Sequence, residues 1–192
     1  MSTIAYVKNI LKDPNIASIT PTSKSGVREV CSKMNLNQRV VIIEYGPATG
    51  VFTNYLLERI TDNSLIVAVE LNETFAGILE NNIQDKRLKI HKDSAENIDQ
   101  IMDQYDQKAD YVISGIPFSL FTPQLRDNIV KKTKDVLNSG GKFLPYQTFF
   151  QKDRHLKDHL TKHFSSVQDG YFFRNIPPMR LYEAVKGEGK YF

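Results

Sequence analysis

Four short stretches of this 192-residue chain hold residues whose types and spacing suit ligand chemistry. The first is Glu44-Tyr45-Gly46-Pro47-Ala48-Thr49-Gly50, which begins where the apolar run Val40–Ile43 ends and leads into a helix-forming segment. Gly46 permits a sharp turn off a strand, and Gly50 lets a ligand approach the backbone. The N–H groups that open the following helix are free to meet a polar ligand. The second is Glu70-Leu71, at the end of the apolar run Leu65–Val69. A carboxylate about 20 residues beyond a glycine loop, at the tip of a second strand, is placed to grip ribose hydroxyls. The third is Asp93-Ser94-Ala95 and the fourth is Ser114-Gly115-Ile116-Pro117-Phe118, each following a short apolar run. Together they describe a cradle for a nucleoside-bearing cofactor with room for a reacting partner beside it.

Those residues need strands and helices to hold them. Ile4, Val7, Ile10 and Leu11 share one helical face, Lys8 and Lys12 the other, and Pro14 ends the segment. A turn-rich connection, Ile16–Ser23, precedes a helix at Gly26–Met34. The run Val40–Tyr45 reads as a strand buried on both faces. From there helices and strands alternate: helix Val51–Arg59, strand Leu65–Glu70, helix Glu73–Asn81, strand Leu88–His91, helix Ile98–Gln104, strand Tyr111–Ser114. Helix Pro123–Leu137 is expected to end at Ser139-Gly140-Gly141. Strand Lys142–Thr148 and helix Asp153–His163 follow, then strands Val167–Phe173 and Arg180–Val185 around a turn at Asn175–Pro178. Repeated strand–helix units dictate a parallel α/β sheet with helices on both faces, and the closing pair without a helix dictates an antiparallel hairpin.

Composition narrows the classes. With 41% hydrophobic and 24% charged residues the chain is an ordinary globular one, read as a single domain, 1–192, with residues 1–38 as an N-terminal helical segment. A net charge of +3 permits contact with lipid or RNA phosphates without demanding it. Cys31, the single cysteine, excludes an internal disulfide and points to a reducing, cytoplasmic setting. No signal peptide or membrane span is visible, so membrane contact would be peripheral, at the inner face. The histidines show no metal-ligand spacing beyond His155 and His159, and no metal is assigned. The basic stretch Lys152–His163 reads as a solvated helix face.

Spacing selects the cofactor. Gly46, Ala48 and Gly50 give G-x-A-x-G after Glu44, not the G-x-G-x-x-G of dinucleotide sites. This resembles the E-x-G-x-G-x-G loop of class I S-adenosylmethionine (SAM)-dependent methyltransferases, with Ala48 replacing the middle glycine. An alanine there is expected to sit at ordinary backbone angles, with its methyl crowding the ligand. The resemblance implies a Rossmann-like, seven-stranded, mostly parallel sheet. It also implies SAM as cofactor, with S-adenosylhomocysteine as product. Cofactor contacts would come from Glu44, Tyr45, Gly46, Ala48, Gly50, Glu70, Leu71, Asp93, Ser94, Ala95 and Ser114. Asp93 would accept from the adenine amine, or simply cap a helix.

The fourth stretch bears on the acceptor. Adenine N6-methyltransferases resemble one another in an Asn/Asp-Pro-Pro-aromatic or Asn-Leu-Pro-Tyr motif whose Asn or Asp accepts from the target amine. Here Gly115 stands at that place. The segments Ile16–Ser23, Ile43–Thr53, Ser114–Ser119 and Arg174–Glu183 instead resemble the bacterial phospholipid N-methyltransferases, which methylate phosphatidylethanolamine. That resemblance implies a lipid amine as acceptor, a basic N-terminal helix against an anionic membrane, and Ser114, Phe118 and Tyr146 in the substrate pocket. The aromatic faces of Tyr45, Phe118 and Tyr146 would attract a methylated ammonium. Arg174 and Arg180 would meet a headgroup phosphate or cap the hairpin. Two readings compete: an rRNA adenine dimethyltransferase or other nucleic-acid methyltransferase, expected to carry Asn at 115 and a C-terminal RNA-binding extension, and a non-catalytic SAM- or S-adenosylhomocysteine-binding protein.

Overall fold

Runs of β-branched and aliphatic residues build the sheet, which the computed structural model describes within residues 22–148, 155–175 and 178–188. The strands are β1 (Val41–Tyr45), β2 (Leu65–Val69), β3 (Leu88–His91), β4 (Ala109–Ser114), β5 (Leu137–Thr148), β6 (Ser166–Phe172) and β7 (Met179–Val185). They form one seven-stranded sheet in the order β3-β2-β1-β4-β5-β7-β6. Strands β1 to β5 run parallel, and β7 runs antiparallel to both β5 and β6. Two reversals restore the original direction, so β6 ends at the same edge of the sheet as β1 to β5. The strand order turns back between β1 and β4, where ligands bind in open α/β sheets. The α/β class, the parallel sheet and the antiparallel hairpin expected from the pattern are all present.

The helices are α1 (Lys24–Cys31), α2 (Val51–Leu57), α3 (Glu73–Asn82), α4 (Ile98–Met102), α5 (Pro123–Val136) and α6 (His155–His163). Side chains of β1 alternate between two cores. Ile42 joins Val27, Val30, Phe52 and Leu56 of α1 and α2. Val41, Ile43 and Tyr45 join Ile98, Ile129, Leu156 and Leu160 of α4, α5 and α6. Both faces are covered, which is why every residue of β1 is buried, Glu44 included.

Element ends differ from the sequence reading where a side chain decides them. Helix α1 starts at Lys24, two residues early, because Ser23 accepts from the Gly26 N–H at 3.1 Å. Helix α5 stops at Val136, and Ser139-Gly140-Gly141 does not cap it. Leu137 already pairs with Ala109, and the chain then bulges out before Lys142 pairs with Tyr111. Gly140 serves that bulge with φ +74°, and a Cβ on Gly141 would meet Asn138 O at 2.9 Å. The expected helix over residues 4–12 lies outside the described residues, as does most of the connection at 16–23.

One arginine sets the tilt of α2. Arg87 gives Nη2 to Leu57 O at 2.8 Å and Nη1 to Ile60 O at 3.0 Å, just past the helix end, while Asp85 grips the same guanidinium at 2.7 Å. A cation at a helix C-terminus satisfies orphan carbonyls and complements the dipole. Arg87→Ala should cost about 2 kcal/mol, seen as a melting point about 4–8 °C lower. Arg87→Lys should rescue little, since an ammonium cannot span two carbonyls and a carboxylate in one plane.

Candidate functional site

Register brings the strand tips level. Tyr45 is paired with Val69 and Ser114, and Val69 with His91. The residues that follow, Gly46, Glu70, Lys92 and Gly115, therefore open onto one crevice at the edge of the sheet. Gly46 N–H donates to Val69 O at 3.0 Å and Gly115 N–H to Tyr45 O at 3.2 Å, sewing the tips together.

The loop from 46 to 50 alternates its backbone. Gly46, Ala48 and Gly50 have φ of 68°, 49° and 80°. Ala48 thus sits in the left-handed region, contrary to the ordinary angles expected of it, and an L-residue there costs about 1–2 kcal/mol. Gly50 also serves a different end from the ligand approach expected of it. A Cβ there would meet Leu79 Cδ2 at 2.8 Å and Ile83 Cδ1 at 2.9 Å, so these side chains fill the space that the glycine leaves, and its φ of 80° favours glycine independently. At Gly46 a Cβ would touch Ile116 Cγ2 at 3.0 Å, which makes Ile116 a wall of the crevice.

Two buried carboxylates hold this loop. Glu70 accepts the Ala48 N–H at 3.1 Å on one oxygen and the Asn72 N–H at 2.9 Å on the other. Burial raises its pKa, and these N–H groups with that of Leu71 oppose the rise. Glu44 accepts the Thr53 hydroxyl at 2.7 Å, tying the strand tip to the first turn of α2. Burial pushes the Glu44 carboxyl up to about 7; Thr53 pulls it down and the nearby charge of Glu70 pushes it further up. Glu44 thus spans the loop, from the strand tip before it to the helix after it.

The other expected residues divide. Asp93 accepts the Ser94 N–H at 2.6 Å and the Asn97 amide at 2.8 Å, both on Oδ1, leaving Oδ2 without a partner. Ser94 accepts the Glu96 N–H and caps a short 3-10 turn at Ala95–Asn97, with Ala95 buried. Ser114 is fully buried and its Oγ has no partner. Tyr45 and Phe118 turn away from the crevice. The Tyr45 hydroxyl meets Thr133 Oγ1 at 3.1 Å on α5, and the Phe118 ring packs on Phe121 and Phe143 in the core. Neither ring is a face for a methylated ammonium. Tyr146 does reach the crevice, its ring stacked on Phe52 at 5.0 Å and its hydroxyl beside Gly115. Sequence reasoning includes Ile116 and Thr53 in ligand-suited segments without giving either a role, and it passes over Asn72, although Asn72, a helix cap accepting from Thr74 and Phe75, carries a recognisable capping signal.

Several basic residues are otherwise engaged. Arg180 forks onto Asp169 at 2.7 and 3.0 Å under the Tyr171 and Tyr182 rings. His159, Lys162 and His163 all converge on Asp127, whose pKa they hold well below the usual carboxylate range. Cys31 is buried, its thiol pushed up to about 12, and unreactive. Among the described residues no cluster of three or more metal-ligating side chains occurs.

The crevice fits a nucleoside cofactor. Glu70 spends lone pairs on the N–H groups of Ala48, Leu71 and Asn72 and keeps one, while Asp93 Oδ2 and the buried Ser114 Oγ have no partner among the described residues. The family described as a methyltransferase domain matches residues 42–141. The chain belongs to that family. It is a SAM-dependent methyltransferase. The sequence is 26% identical over 176 residues to an ornithine lipid N-methyltransferase of Singulisphaera acidiphila, covering 87% of this chain and 86% of that one. It is 25% identical over 115 residues to ribosomal RNA small subunit methyltransferase A of Mycoplasma capricolum, covering 59% of this chain but 38% of that one. In fold it matches the SAM-bound magnesium protoporphyrin IX methyltransferase of Synechocystis PCC 6803 with a TM-score of 0.69 at 12% identity, over 97% of this chain and 98% of that one.

Two stability measurements follow from the loop. Ala48→Gly should stabilise by about 1 kcal/mol, seen as a melting point about 2–4 °C higher. Glu44 is an acid raised in the folded state, so it destabilises as pH climbs. The cost is absent below about pH 4.5, grows up to about pH 7 and then stays constant. Glu44→Gln removes that dependence. Its stability relative to wild type should improve by roughly 3 kcal/mol between about pH 4 and about pH 8, and a pH-independent difference in denaturant titrations would contradict the burial argument.

Proposed function

We propose that the protein methylates the amine of a lipid headgroup at a membrane surface, with phosphatidylethanolamine and ornithine lipid as the acceptor types. The observation that carries this reading is the chemistry of the rim beside the crevice. Phe172 aligns through Met179 with Thr148, so the end of β6 stands level with the end of β5, two strand spacings or about 10 Å away. Just there Tyr171 and Phe173 are 51% and 73% exposed, with their rings stacked at 6.2 Å. Arg174 follows them. Ser25 Oγ donates to Arg174 O and Ser23 N–H to Asn175 Oδ1, drawing the start of α1 onto the same rim. Lys24, Arg28 and Arg174 are exposed and make no ion pair with any described residue. Aromatic rings beside unpaired cations suit the interface of an anionic bilayer, where each basic residue contributes about 1 kcal/mol. Among the described residues no helix is long and apolar enough to cross a membrane.

Bound in the crevice, SAM would supply a methyl carbon on a cationic sulfur: the headgroup ammonium gives up one proton to solvent, its freed lone pair forms the C–N bond as the C–S bond breaks, and the sulfur leaves as the neutral thioether of S-adenosylhomocysteine. In this reading Glu70 holds the ribose hydroxyls, and Leu71 with Asp93, Ser94 and Ala95 takes the adenine end. The 46–50 loop and Ser114 enclose the remainder. The chain's task is then alignment and exclusion of water, so it needs no covalent nucleophile. The ornithine lipid relative, matched over most of both chains, supports an amine acceptor. Against a flipped adenine stand Gly115, which has no amide, and Phe118, whose ring lies in the core.

The test offers labelled SAM with three acceptors side by side: phosphatidylethanolamine vesicles, ornithine lipid vesicles and rRNA. Label is expected in lipid, more with anionic lipid present. Tyr171→Ser/Phe173→Ser should weaken vesicle binding about tenfold and leave calorimetric SAM affinity alone. Label in rRNA and none in lipid would refute the reading.

A further inference from the structure

Gly115 lacks the usual reason for being glycine. Its φ lies outside the left-handed region, so its backbone suits any residue. What forbids a side chain is a neighbour. A Cβ on residue 115 would collide with Tyr146 Oη and lie 2.9 Å from Cζ, far inside van der Waals contact. Tyr146 cannot readily withdraw. It stands on β5 one residue past Pro145, which pairs with Ser114, and its ring is stacked on Phe52 with 24° between planes. The Thr22 hydroxyl bonds to its oxygen. A phenolic oxygen thus occupies the space into which a longer polar side chain at 115 would grow.

That oxygen is chemically suited to the place. A phenol has one proton and two lone pairs; the bond to Thr22 uses one of the three, and a lone pair remains. Burial and the nearby Glu44 carboxylate both raise its pKa, so the group is a neutral phenol at physiological pH. Beside it Ile116 and the 46–50 loop wall the crevice.

We propose that Tyr146 Oη accepts an N–H of the methyl-accepting amine and turns its lone pair toward the cofactor, and that residue 115 is glycine to admit this hydroxyl. The assignment rests on the lipid-amine reading and adds its specificity. A single oxygen acceptor beside a buried Phe118 orients a tetrahedral aliphatic amine and offers no exposed ring at that position to sandwich a planar base. Tyr146 therefore acts through its hydroxyl, and Phe52 covers one face of its ring.

The test uses the full chain with labelled SAM and phosphatidylethanolamine vesicles. Tyr146→Phe keeps the ring and removes only the oxygen. Its kcat should fall about tenfold to a hundredfold, with the calorimetric Kd for SAM within about twofold of wild type. Gly115→Ala should lower kcat similarly and lower the melting point by several degrees. In a Tyr146→Ala background the same Gly115→Ala change should cost no stability, because the clash is gone. Tyr146→Phe at full rate, on a wild type that labels the lipid, overturns the assignment alone. An undiminished Gly115→Ala penalty in the Tyr146→Ala background also overturns it. A wild type that labels no lipid amine overturns the lipid reading and this assignment with it.

Discussion

The crevice depends on two carboxylates buried at neighbouring strand tips. Glu70 bridges the 46–50 loop to the chain leaving β2, and Glu44 bolts β1 to the first turn of α2. Both are costly to ionise where they lie, and their cost is offset by N–H and O–H donors from the segments they join. Remove the donors and the charges have no place; remove the charges and three alternating left-handed residues lose their tether. The energy stored there is the usual companion of a binding site. It is spread over Ala48 in a left-handed conformation and an acid held half-titrated near neutrality.

Around that tether the rest of the molecule is an alignment device. Parallel pairing puts Tyr45, Val69, His91 and Ser114 in one row, so loops that are remote in sequence open at one height. Arg87 ties down the far end of α2 and Glu44 the near end. The antiparallel β7 restores the direction of β6 and brings an aromatic and basic rim to the crevice edge.

Much of this is legible in the residues. Uninterrupted β-branched runs announce strands buried on both faces, and Glu44, the small-residue loop and Glu70 mark the crevice by type and spacing alone. Element order and the closing hairpin follow from periodicity. What is not legible turns on parity and on distant neighbours. Tyr45 and Phe118 carry the right chemistry at the right strand ends, yet alternation sends Tyr45 to Thr133 and three-dimensional packing sends Phe118 to Phe143. Ser139-Gly140-Gly141 looks like a helix stop because Gly-rich punctuation serves bulges equally well. Gly50 reads as an opening for a ligand, whereas Leu79 and Ile83, remote in sequence on and just past α3, lie against it and claim the space.

The contact between Gly115 and Tyr146 also makes those two positions a single heritable unit. Lineages that enlarge residue 115 must shrink or redirect residue 146 in the same stroke, and a change at either place alone passes through a clash or a void. Their identities should therefore covary among descendants of this fold, a residue without a side chain at one place going with a full-length ring at the other.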